Sequence, residues 1–144
     1  MMPEDTTAHK GHSTLLGYTA TLIAFVLLDA AWLALFAIEM FKHAVGPILR
    51  EQPDILAAVA FYLIYAAGLF ALAVRPAAVS HSLRMAITNG AIVGLTAYAT
   101  FDLTNLAVIQ GWTPAIVLMD MAWGAAASAT AAALGYVGAT QRRA

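Results

Sequence analysis

Asp29, Asp102 and Asp120 each stand inside a long apolar stretch of the chain. A carboxylate can hold a proton, bind a cation or accept hydrogen bonds. In a hydrocarbon setting it must do one of these, because its insertion costs at least about 2.5 kcal/mol. All seven Lys and Arg residues lie outside those stretches, so none neutralises the acids from within. Three remedies remain: protons, a metal or organic cation, or a water-filled vestibule. The acids also have companions of suitable chemistry. Asp-x-x-Trp occurs twice, as Asp29 with Trp32 and Asp120 with Trp123, a spacing that sets an indole one helical turn from the acid. An indole N–H can donate to a carboxylate and its ring face attracts cations, although the same spacing also serves ordinary aromatic packing. Tyr62 and Tyr65 are predicted to carry hydroxyls to a similar depth, and Asn105 shares a helix face with Asp102.

The elements that must hold these residues are membrane-spanning helices. The 144-residue chain is 62% hydrophobic and 10% charged, against roughly a quarter charged in soluble domains. Apolar runs over 15–38, 55–74, 85–109 and 114–137 each approach the ~20 residues that cross a ~30 Å hydrocarbon core. The first is too long for a secretory signal, whose apolar part spans only about 7–15 residues. The expected fold is an all-α integral membrane protein, a four-helix transmembrane bundle over 14–139 whose short links make neighbouring helices antiparallel. Residues 1–13 read as a mobile cytoplasmic tail and 140–144 as a basic C-terminal tail. Between the first two helices, Phe41, Val45, Ile48 and Leu49 recur at helical spacing. That pattern predicts an interfacial segment bent at Gly46-Pro47. Trp112 suits an interfacial aromatic belt, and Pro114 a helix's first turn. Lys10, Arg75, Arg84, Arg142 and Arg143 fall on one side and Lys42 and Arg50 on the other, which places both termini in the cytoplasm.

Depth and face decide whether the acids can meet. At 1.5 Å per residue from the outer helix ends, Asp29 lies roughly 14 Å deep, Asp102 roughly 11 Å and Asp120 roughly 9 Å. On the third helix, Gly90, Gly94, Tyr98, Asp102 and Asn105 share one sector. On the fourth, Asp120, Gly124, Ala127, Ser128, Ala131, Gly135 and Gly138 form a small-residue stripe. Such faces admit another helix closely. Asp29 lies among Tyr18, Leu22, Phe25, Trp32 and Phe36, bulky side chains suited to fill that space.

Other chemistries are poorly represented. The chain has no cysteine, which excludes disulfides, thiolate metal sites and cysteine nucleophiles. His9 and His12 have a metal-like spacing but no further ligand nearby, and His43 is placed where it could overlie the acids. Phosphate-binding glycine loops, nucleophile elbows, His-Glu-x-x-His and basic aromatic patches are all missing. No catalytic residue, cofactor or nucleic-acid partner is therefore assigned.

At "LLDAAWL" (27–33), "FYLIYAAGL" (61–69), "AVRPA" (73–77), "DLTNLAVIQGW" (102–112) and "DMAWG" (120–124) the chain resembles a family of small bacterial membrane proteins, domain of unknown function 2177. Where that family's pattern has a tyrosine before Asp-Leu-Thr-Asn, this chain has Phe101. The resemblance implies a four-helix protein of the bacterial inner membrane and brings no activity, substrate or cofactor with it. The functional expectation comes from the acids. It is a small binding protein, transporter or channel, homo-oligomeric or within a membrane complex, holding protons or a cation at Asp29, Asp102 and Asp120. Asn105, Tyr62, Tyr65, Trp32 and Trp123 would line the pocket. The alternatives are an accessory subunit of a larger membrane complex, whose acids are interhelical hydrogen-bond partners, and a membrane-embedded enzyme acting on an apolar substrate.

Overall fold

The computed structural model describes residues 6–141, with side chains from residue 13. Residues 1–5 and 142–144 of the expected tails, and the His9 and His12 side chains, lie outside what is described. Among the described residues the chain forms four helices long and apolar enough to cross a membrane. The first, α1, runs over Thr6–Trp32, a π turn at Leu33–Ala37 and Ile38–Val45. The second, α2, comprises Ile55–Leu69, a π turn at Phe70–Val74 and Arg75–Val79. α3 spans Leu83–Val108 and α4 Pro114–Thr140.

Local chemistry sets most of the starts. Asp54, Ser82 and Thr113 sit in extended conformation ahead of α2, α3 and α4, and their side chains accept from Ala57 N, Met85 N and Ile116 N. Each cap satisfies a backbone donor that the helix itself leaves open. Pro114 occupies the first turn of α4, where its missing N–H costs nothing. The segment after residue 38, expected to lie apart as an interfacial element bent at Gly46-Pro47, is continuous with α1 through Val45 and does turn there, in a 3₁₀ turn at Gly46–Ile48. The reason is tertiary. Val45 buries against Trp112, Ile116 and Val117, with Met40, Phe41 and Ala44 packed around them. At the other end, residues 6–13, read from sequence as tail, already belong to α1.

α4 is the central helix, and its small residues make it so. Toward α3, a β-carbon on Gly94 would run into the Gly124 carbonyl oxygen, and one on Gly90 would lie 2.7 Å from Ala132 Cβ. Toward α1, Gly17 lies against Ala139 and Gly135, and Gly138 against Leu16 and Ala20. In a bilayer the gain from such contacts is van der Waals packing, because lipid tails are as apolar as the side chains they replace. Phe25, Leu69 and Val74 fill the space between helices and are fully buried. Leu27, Leu35, Leu56, Ile64, Ile92 and Leu118 point outward. That apolar girdle would be a severe liability in water and is ordinary in lipid.

α2 is held unevenly. Its Ile55–Leu69 segment rests on α1, whereas Phe70–Val74 and Arg75–Val79 pack against α3 and α4, with Ala73, Val74 and Ala77 buried. The half of α2 nearer Asp54 therefore stands away from α3. At that end Gly111, with φ of 93°, places its backbone against the Ala44 carbonyl. This region, where α1's last turns meet the α3–α4 link, is termed the Trp112 end below.

Candidate functional site

The acids are the charged side chains that the bundle buries among the described residues: Asp29 is 5% exposed, Asp102 0% and Asp120 4%. Asp29 is carried inward by α1's aromatic face, one turn beyond the fully buried Phe25. Tyr62 Oη of α2 donates to its Oδ2 and Tyr98 Oη of α3 to its Oδ1, each at 2.9 Å. Both carboxylate oxygens are thus satisfied from two other helices. Asp120 is carried inward by the small-residue stripe of α4, and Trp32 Nε1 donates to its Oδ1 at 2.9 Å. Its Oδ2 accepts no hydrogen bond from the described residues. The Asp-x-x-Trp spacing therefore works across helices: Trp32 bonds Asp120, not Asp29. Trp123 stacks on Trp32, with centroids 4.9 Å apart and planes 9° from parallel, and its Nε1 has no partner.

Asp102 lies behind this arrangement. Its polar neighbours are the Asp120 carboxyl and the Trp112 indole, but neither meets it in hydrogen-bond geometry, and both of its oxygens and Trp112 Nε1 stay unpartnered. Trp112, in the link between α3 and α4, packs inward on protein. It is buried, stacked on Phe41 at 5.1 Å and edge-on to Phe101 at 5.7 Å.

Asp29 and Asp120 face one cavity of about 390 Å³, bounded by Trp32, Phe41, Phe61, Tyr62, Tyr98 and Phe101 together with Tyr65. No Lys, Arg or His lines it. Tyr65, expected to meet a carboxylate, bonds Ser128 Oγ at 2.7 Å. Asp102 and Asn105 do not line the cavity. Asn105 is half-buried on α3, and its carbonyl closes the helix by accepting from Ile109 N at 2.8 Å. His43 is exposed and borders a separate groove beside Ala115 and Met119, away from the acids. Glu39 pairs with Lys42 at 2.8 Å.

The sequence places Tyr98 in the sector of Asp102, four residues before it, but Tyr98 is not among the residues expected at the site. Phe41, Phe61 and Phe101 carried no such signal, because a ring facing a cavity and a ring facing lipid look alike in sequence.

The arrangement suits some ligands better than others. Among the described residues, no three His, Asp or Glu side chains converge on a point where one metal ion could sit. What faces the cavity is a pair of carboxyl groups within a wall of ring faces. Rings attract positive charge through their quadrupoles, by about 0.5–2 kcal/mol each, so the chemistry matches an organic cation or protons. Comparison with known proteins gives the setting. The family described as "Predicted membrane protein (DUF2177)" matches residues 14–137. No curated protein and no solved structure matches the chain.

Proposed function

This chain belongs to that family of predicted membrane proteins, and from that premise we propose that it is a binding or transport protein that takes a small organic cation or protons between Asp29 and Asp120. One observation carries the reading: two carboxyl groups, 5% and 4% exposed, share an aromatic cavity that no basic side chain lines. Burying such acids without compensation is costly. A cation held between them would return that cost and would also draw on the rings of Trp32 and Tyr62. Asp102, which adjoins Asp120 and does not line the cavity, would share a proton with it when no cation is bound. The distribution of Lys and Arg supports both termini in the cytoplasm of a bacterial inner membrane, with the cavity nearer the periplasm.

The test is titration of the purified protein with tetramethylammonium, read by tryptophan fluorescence, since Trp32 touches the site. The parent is expected to respond saturably, and Asp120→Asn and Asp29→Asn to weaken binding at least tenfold, with the same order in vesicle uptake. A double Asn variant that binds as the parent does would refute the reading. A second reading is favoured by one specific observation, that both Asp29 oxygens already accept tyrosine hydrogen bonds. On it the acids tie helices together within an accessory subunit. Asp29→Asn would then preserve function, Asp29→Ala would disrupt assembly, and a stoichiometric partner would copurify in mild detergent.

A further inference from the structure

We infer that the cation is the head of a membrane-dissolved amphiphile, a single-chain alkylammonium in kind, and that it reaches the cavity sideways through the gap between α2 and α3. This rests on the cation reading above and adds the ligand's class and its route. The gap follows from how α2 is held: Ile55–Leu69 rests on α1, and α2 closes against α3 only from Phe70 onward. Ala58, Phe61 and Tyr62 line the cavity from α2, and Ala97, Tyr98 and Phe101 from α3. Phe61 and Phe101, on the two helices that flank the gap, are 43% and 50% exposed. The gap runs between two helices long and apolar enough to cross a membrane, so on this inference what it meets is acyl chain.

Packed side chains stand toward both helix ends. At the Trp112 end, Phe41 stacks on Trp112 and Phe101 stands edge-on to the same ring, with Val45, Ile116 and Val117 buried around them. At the opposite end α2 is packed onto α3 and α4 through buried Ala73, Val74 and Ala77. The cavity's polarity is graded to match. Asp29 and Asp120 lie deep, while the rings of Phe61 and Phe101 stand at the gap. A volume of about 390 Å³ is at the small end for ligand pockets, which run to ~1,000 Å³. It holds a head group, and a tail would remain in the bilayer between the two rings. The positive sign of the head rests on the lining: Asp29 and Asp120, 5% and 4% exposed, face a cavity that no Lys, Arg or His lines.

The experiment uses the full chain in lipid nanodiscs with two probes, tetramethylammonium and a dodecyltrimethylammonium carrying a photoreactive group on the first carbons beside the head. Corrected for partition into protein-free discs, the amphiphile is expected to bind at least tenfold tighter than the small cation. Its photolabel should fall on α2 near Ala58–Phe61 and on α3 near Ala97–Phe101, and disappear in the Asp29→Asn/Asp120→Asn variant, whose helicity by circular dichroism serves as the folding control. If tetramethylammonium binds at the acids but the amphiphile gains nothing, or labels the helices evenly, the lateral route fails and the cation site stands. If neither probe binds differently in the parent and the double variant, the cation site fails and the route falls with it.

Discussion

Replacing Gly124 by alanine joins the fold to the site in one measurement. A β-carbon there would overlap Cγ and Cδ2 of the Tyr98 ring and lie 2.7 Å from its Cδ1. The ring is not free to step aside, because its hydroxyl is committed to Asp29 at 2.9 Å. Forcing a methyl into a filled interface costs about 1–3 kcal/mol. If the ring yields, the interhelical hydrogen bond goes too, worth ~0.6 and at most ~1.7 kcal/mol within membranes. Alanine returns up to about 1 kcal/mol as the better helix former. The balance is a loss of roughly 1–4 kcal/mol, summed from those three contributions. Reversible unfolding by sodium dodecyl sulfate in mixed micelles, followed by circular dichroism, would measure it. The decisive comparison is a double-mutant cycle. In a Tyr98→Ala background the obstructing ring is absent, so Gly124→Ala should become neutral or slightly stabilising. If Gly124→Ala costs the same in both backgrounds, or nothing in the parent, the contact does not set the approach of α3 to α4.

Two further outcomes are expected. The near-parallel stack of Trp32 on Trp123 should give an exciton couplet in the far-ultraviolet circular dichroism that Trp32→Phe and Trp123→Phe each abolish; a couplet surviving either change would exclude the stack. Gly111→Ala should lose roughly 1–3 kcal/mol in the same micelle unfolding assay, because φ of 93° is strained for an L side chain and a β-carbon would meet the Ala44 carbonyl oxygen; an unchanged midpoint would show that the α3–α4 link relaxes freely.

What could be read in advance followed from periodicity. The stripe Gly90, Gly94, Tyr98, Asp102 is the buried or half-buried face of α3, and that of Asp120, Gly124, Ser128 and Gly135 the buried face of α4. Both are legible because small residues at helical spacing have no other reason to recur. The extent of α1 was not legible. Ile38–Val45 carries Glu39, Lys42 and His43 and reads as a segment lying apart from the first span, whereas Val45 buried beside Trp112 holds it against the bundle as a continuation of α1. The acids were legible, but which of them line the cavity was not. Sequence places three carboxylates at matched depth; Asp102 is fully buried between Asp120 and Trp112, and Asp29 and Asp120 line the cavity. Asn105 shares the sector of Asp102 and, like it, stays out. Helical angle is too coarse a measure to divide neighbours on one face.

The wide turn at Leu33–Ala37 has a consequence for what α1 can present. Asp29 and Phe41 are twelve positions apart in sequence, and on an uninterrupted α-helix at about 100° per position they would diverge by about 120° around the axis. A π turn absorbs one surplus residue, which brings that divergence down to about 20°. Both side chains then reach the same chamber, the acid at its floor and the ring at its rim. The turn thus acts as a phase adjuster: it lets one continuous rod serve the middle of the bundle and its far edge without a break, and deleting a single residue from it would restore regular winding while leaving both faces aligned.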